Sequence, residues 1–258
     1  MNLENSKSDL SCSSFIEHLE EFRRRLILSL LMFFVSFMLC FMIKEYLLNF
    51  LLLPYKWAMT LSGGDPDLIR LQSTQVLETF VTKVKISAFG GVILSFPFVA
   101  FEAYCFIAPG LYRKERMAFV PFLIAAPLLF LIGAAFVYYL VAPLVFWFGL
   151  SQQLTLDTRL HIDFIAKISE YLSFMTSLIL AFGFVFQLPV VTTLLIRIKL
   201  LNYTTLVAMR KWACIAAFIL AAMVTPSDLL SMLALALPTV LLYEISIFLA
   251  RAVEKKHR

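Results

Sequence analysis

Apolar and polar positions alternate along this chain in long blocks, and the blocks predict membrane-crossing helices. Residues 26–43 are apolar throughout and stop at Lys44 and Glu45. About 18 such residues is near the minimum for crossing a bilayer. Residues 86–107 predict a second span, in a helix that begins earlier, with Lys83 and Lys85 outside the hydrocarbon; Ala108-Pro109-Gly110 stops it. Residues 117–140 predict a third span bent by Pro121 and Pro127, with Pro143 just beyond. Residues 171–196 predict a fourth, with Pro189 near its inner end, and 229–250 are long enough for another. Between these lie residues 213–225, only 13 residues before Pro226.

Charge decides whether that short run crosses. Six spans put fifteen of the 22 Lys and Arg on one side of the membrane. These are Lys7 and Arg23 to Arg25, then Arg113, Lys114 and Arg116, then Arg197, Lys199, Arg210 and Lys211, then Arg251, Lys255, Lys256 and Arg258. Five spans would put the basic tail on the other side. The excess of basic residues in inner segments therefore favours six spans with both termini cytoplasmic, and the short fifth crossing must thin the bilayer or sit against protein.

The remaining segments are polar or interfacial. Residues 46–59 mix apolar side chains with Pro54, Tyr55 and Trp57, which predicts an interfacial helix and turn. Ser62 to Pro66 predicts a loop, and residues 151–167 an outer loop and helix start. The chain therefore reads as one integral membrane domain over 1–258. Residues 1–25 form a cytoplasmic amphipathic N-terminus, 26–250 a six-helix core and 251–258 a basic cytoplasmic tail. Arg23-Arg24-Arg25 ahead of an apolar run looks like the start of a signal peptide. The run is too long and no Ala-x-Ala site follows, so it reads as a retained span.

Composition agrees. The 258 residues are 61% hydrophobic and only 15% charged, where a soluble domain carries about 25% charge. The net charge of +5 reads as topological, with basic residues scattered between spans, and gives no support for nucleic acid. Cys12, Cys40, Cys105 and Cys214 are widely spaced with no Cys-x-x-Cys pair, which argues against a disulfide framework. No phosphate-binding Gly-rich loop, His-Glu-x-x-His or Gly-x-Ser-x-Gly elbow occurs. His18, His161 and His257 are far apart, so neither catalysis, a cofactor nor a metal is expected.

Polar residues within spans are few and costly. Glu102 and Glu244 lie near inner ends, where they either reach interfacial water or serve a function; Arg251, seven residues on, is a candidate partner for Glu244. Gln187 lies near the inner end of the fourth span. Asp228, after Thr225-Pro226-Ser227, is placed to cap the last helix. In the N-terminal segment Phe15, Leu19, Phe22 and Leu26 recur at helical spacing, which by itself describes an ordinary interfacial helix. A small-molecule secondary transporter is the rival reading. It would want ionisable residues at mid-span, whereas these cluster toward one side.

Two segments carry a resemblance. His18-Leu19-Glu20-Glu21-Phe22-Arg23-Arg24-Arg25-Leu26 resembles the TatC pattern H-L-x-E-L-R-x-R-L, with Phe22 in place of Leu. The stretch from Phe106 through Pro109, Gly110, Leu111 and Tyr112 to Glu115 and Arg116 is similar to the family's first cytoplasmic loop. Phe182 to Val190, Thr225 to Asp228, and Ala236 to Glu244 resemble its fourth span and last hairpin. The resemblance covers about residues 15–250. It implies an all-α protein with six transmembrane helices in a bacterial inner membrane, an organellar inner membrane or a thylakoid membrane. It also implies a receptor for signal peptides bearing two consecutive arginines, which recruits single-span TatA/TatB-type subunits for export of folded proteins driven by the proton gradient. Self-association and lipid contact are expected with it.

By the same resemblance Glu21 and Glu115 face the twin arginines, with Arg23, Phe106 and Tyr112 beside them. A carboxylate accepts a guanidinium fork in two hydrogen bonds, so a Lys-Lys signal would bind less well. Set apart from the motif, Glu115 could instead pair locally with Arg113 or Arg116. Gln187, Glu244, Glu102 and Asp228 are candidate partner-contact or intramembrane polar positions. Relatives often carry Glu at the place of Gln187, and a neutral polar residue at that of Glu102.

Overall fold

The computed structural model describes residues 3–63, 71–72, 77–107, 113–154, 166–198, 200–225 and 229–257. The described chain is almost entirely helical. The elements are α1 (Leu3–Met42), α2 (Lys44–Leu61), β1 (Leu71–Gln72), α3 (Glu78–Ile107), α4 (Arg113–Phe136), a π turn (Val137–Val141), α5 (Ala142–Leu154), β2 (Ala166–Lys167), α6 (Ile168–Val185), α7 (Leu188–Arg197), α8 (Tyr203–Ala208), α9 (Arg210–Val224) and α10 (Leu229–His257). Helices satisfy their own backbone hydrogen bonds, which hydrocarbon demands.

Among the described residues, five helical stretches are long and apolar enough to cross: Glu17–Met42, Glu78–Phe106, Pro121–Ser151, Ile168–Arg197 and Met232–Glu254. The sixth, α9, has 15 residues, about 22 Å of helix against a hydrocarbon core of about 30 Å. The spans differ from the expected bounds mainly by being longer. The third continues through the π turn into α5, with Pro143 directly after that turn; a local π adjustment of this kind accommodates a proline inside a membrane helix. The fourth breaks at Phe186-Gln187 into α6 and α7. The basic tail stays helical to His257 as the end of α10.

The core centres on α6. Tyr171, Leu172, Met175, Leu178, Ile179, Phe182 and Val185 are buried at helical spacing, against Phe130 of α4 and Ile86 and Phe89 of α3. Gly183 lets the Phe130 ring lie against α6, since a Cβ there would come within 2.6 Å of it. Phe96 stacks on Phe130 from α3, with ring centroids 4.0 Å apart. On α1 the apolar residues from Leu26 to Met38 are mostly exposed, as suits a helix facing lipid.

At the end of the bundle where α1 gives way to α2, Pro54 sits inside a helix. Proline removes the N–H that would have bonded the carbonyl four residues back, at Phe50. The Tyr138 hydroxyl, presented by the π turn, donates to that carbonyl at 2.7 Å. Tyr171 does the same for Leu51, also at 2.7 Å. Tyr55 packs edge-on to Tyr171, and burial pushes its phenol above the ordinary value. Nearby, β1 and β2 pair in parallel, Ser169 donates to the buried carboxylate of Glu78, and Lys83 pairs with Glu45 at 2.7 Å. Tyr138→Phe is expected to cost about 1–3 kcal/mol by leaving the Phe50 carbonyl without its donor. Thermal unfolding of the purified protein in detergent checks this, with unchanged stability as the contrary result.

Candidate functional site

The opposite end of the α1–α3 pair carries the charged cluster. These helices run antiparallel in one register. Cys40 lies against Gly90, Phe37 against Gly91, Arg25 against Glu102 and Phe22 against Phe106. Close approach is possible because Gly91 has no side chain; a Cβ there would stand 3.0 Å from the Phe37 Cα. Glu102 follows Gly91 by eleven residues, about three turns, and so returns to the same face.

Arg25 is the centre of the cluster. Its Nε and Nη2 donate to Oε1 of Glu21 at 3.1 and 2.7 Å, and its Nη1 donates to Oε2 of Glu102 at 3.0 Å. All three side chains are partly buried, Glu102 most, at 13% exposure. A concave region of about 550 Å³ opens beside them. It is lined by Glu17, Glu20, Glu21 and Glu102, by Arg24 and Arg25, and by Leu28. On α1 the lining residues recur at i, i+3, i+4, i+7, i+8 and i+11, one face of a helix. Four carboxylates against two guanidiniums leave two negative charges, the amount that a pair of arginines would neutralise. Phe106 is one turn beyond Glu102, stacked on His18 at 4.5 Å and tilted against Phe22 at 5.3 Å, so an aromatic contact holds α1 on α3 at this point.

The expected site residues fare differently. Glu21 and Phe106 come together here, and Glu102 joins them although the family pattern gave it no role. Arg23 is exposed and does not line the region; Arg24 and Arg25 do. Glu115 falls in the first turns of α4, with its side chain outside the described residues, as are Tyr112 and Asp228. Gln187, at the break between α6 and α7, donates through Nε2 to the Ala126 carbonyl of α4 at 3.0 Å, so its amide nitrogen already ties two helices together. Glu244 pairs with Arg210, Nη2 to Oε2 at 2.8 Å, and not with Arg251. The reason is geometric. Arg251 is about 10 Å further along the same helix, whereas α9 runs antiparallel beside α10 and brings Arg210 level with Glu244. The face of acids and arginines on α1 is visible in its helical spacing, beside the apolar stripe of the same segment.

These features define a polytopic all-α membrane protein with an acidic recess at one end of its first helix pair. A family model described as Sec-independent protein translocase protein (TatC) matches residues 17–238. The chain belongs to the TatC family. It is 39% identical over 241 residues to the Sec-independent protein translocase protein TatC of Magnetococcus marinus, covering 93% of this chain and 85% of that one. It is 40% identical over 242 residues to the TatC of Rickettsia prowazekii, covering 93% and 94%. A crystal structure described as the twin arginine translocase receptor TatC superimposes with a TM-score of 0.78 at 32% identity, over 92% of this chain and 99% of that one.

Proposed function

We propose that this protein is the signal-peptide receptor subunit of a twin-arginine translocase. The acidic recess on α1 and α3 takes the two arginines of an arriving signal peptide, with Glu21 and Glu115 as the accepting carboxylates. The observation that carries this reading is the recess itself: carboxylates in excess, Glu21 and Glu102 partly buried, and Glu21 already holding one guanidinium through two N–H groups. Membership of a protein-translocase family supplies the context. The recess and both termini lie on the cytoplasmic side in this reading, which the distribution of basic residues supports. Single-span subunits of the TatA/TatB type are the partners, and Gln187 and Glu244 are polar positions that their helices could meet.

Expression in a cell lacking its own TatC, together with cognate single-span subunits, tests the reading. Export of a folded reporter carrying an Arg-Arg signal is expected, with its Lys-Lys counterpart retained. A reporter exported equally well with either signal would sink the recognition role.

A further inference from the structure

Arg25 occupies the very carboxylate to which the arginine of a signal peptide is assigned. We infer that Arg25 is an internal stand-in for the ligand, displaced from Glu21 on binding and caught by Glu102. This rests on the reading of the recess as the signal-peptide site. Three observations carry it. Arg25 and Glu21 are one helical turn apart, so their pairing needs nothing from outside and is made whenever the site is empty. Both Arg25 contacts to Glu21 fall on a single oxygen, Oε1, which leaves Oε2 unengaged by Arg25. An incoming guanidinium can therefore attach to Oε2 before Arg25 lets go. Lastly, Nη1 of Arg25 already touches Glu102, the less exposed of its two carboxylate partners, so the displaced arginine keeps a partner and is never left as an unpaired, partly buried charge.

The arrangement acts on selectivity as well as affinity. A ligand has to outbid a guanidinium held by two hydrogen bonds, which an ammonium does less well because it lacks the planar fork. The internal arginine thus sets a threshold that a lysine pair does not clear.

The test is a cycle of binding titrations on the full-length protein in lipid nanodiscs. The probe is a fluorescent synthetic peptide with Arg-Arg ahead of an apolar stretch. Arg25→Gln is expected to tighten binding roughly three-fold, the yield of removing a partly exposed ion pair that competes with the ligand. Glu102→Gln is expected to weaken it by roughly the same factor, because the displaced Arg25 loses its receiver. In the Arg25→Gln background, Glu102→Gln is expected to change nothing. If Glu102 instead weakens binding equally in both backgrounds, it acts as simple negative charge and the inference is wrong. It is also wrong if Arg25→Gln fails to tighten binding. Should Arg25→Gln not give a monodisperse protein, Arg25→Lys replaces it, with tightening of the same sign and smaller size expected, and no tightening overturning the inference. Glu21→Gln in the same titration separates the two layers. Loss of binding there with no gain from Arg25→Gln sinks the displacement alone; unchanged binding sinks the site itself.

Discussion

Glu21→Gln is expected to lower export of a folded twin-arginine reporter about ten-fold, while the protein still accumulates in the membrane. A hydrogen bond to a charged group is worth about 1.5–3 kcal/mol, and 1.4 kcal/mol is a factor of ten in binding. The amide that replaces the carboxylate presents one acceptor oxygen and no charge, so the forked, charge-assisted contact with a guanidinium is lost. The fold survives because Arg25 keeps Glu102, its partner on α3. Glu21→Asp retains the charge on a shorter stem and is expected to fall between the two. Quantifying exported and retained reporter alongside the membrane level of the receptor separates loss of recognition from loss of protein. A variant that exports normally at normal abundance would remove Glu21 from the site.

Gly91→Leu is the second change with a large expected effect, and it acts through geometry. Its Cβ alone would stand 3.0 Å from the Phe37 Cα and 3.1 Å from its nitrogen, both backbone atoms that cannot rotate away. The rest of a leucine side chain has to push α1 off α3. Overpacking of this kind costs about 1–3 kcal/mol, occasionally more. The same helix pair aligns Arg25 with Glu102, about three turns along, so the displacement also disturbs the recess. The expected result is a lower unfolding temperature together with loss of peptide binding. Gly91→Ala is expected to give a milder form of both. Wild-type stability in Gly91→Leu would show that α1 and α3 are not held at this distance.

Much of this architecture could be read from the chain because bilayer thickness imposes a length on apolar runs. The spans near residues 26–43 and 229–250 follow from that constraint. The bounds that shifted did so for reasons a hydropathy pattern cannot hold. The third span runs on past Pro143 because the π turn just ahead of it adjusts the helix to the missing N–H. The fourth breaks at Phe186-Gln187, just ahead of Pro189. Partnerships across helices were harder still. Glu244 finds Arg210, and Glu102 finds Arg25, through helix register set by close contacts such as Gly91 on Phe37. Residue spacing within one helix suggests Arg251 for the first and nothing for the second. Glu21 and Phe106 were legible through the family pattern, whereas Glu17, Glu20, Arg24 and Arg25 needed the helical face they share.

The central claim is that carboxylates at the recess distinguish an arginine pair from a lysine pair. The most direct measurement compares the affinities of Arg-Arg and Lys-Lys peptides for the unchanged protein and for a Glu21→Gln, Glu115→Gln double variant, in the same nanodiscs. The unchanged protein should prefer Arg-Arg, and the double variant should bind both peptides alike and weakly. An undiminished preference for Arg-Arg in the double variant would contradict the account, since the discrimination would then reside elsewhere in the molecule.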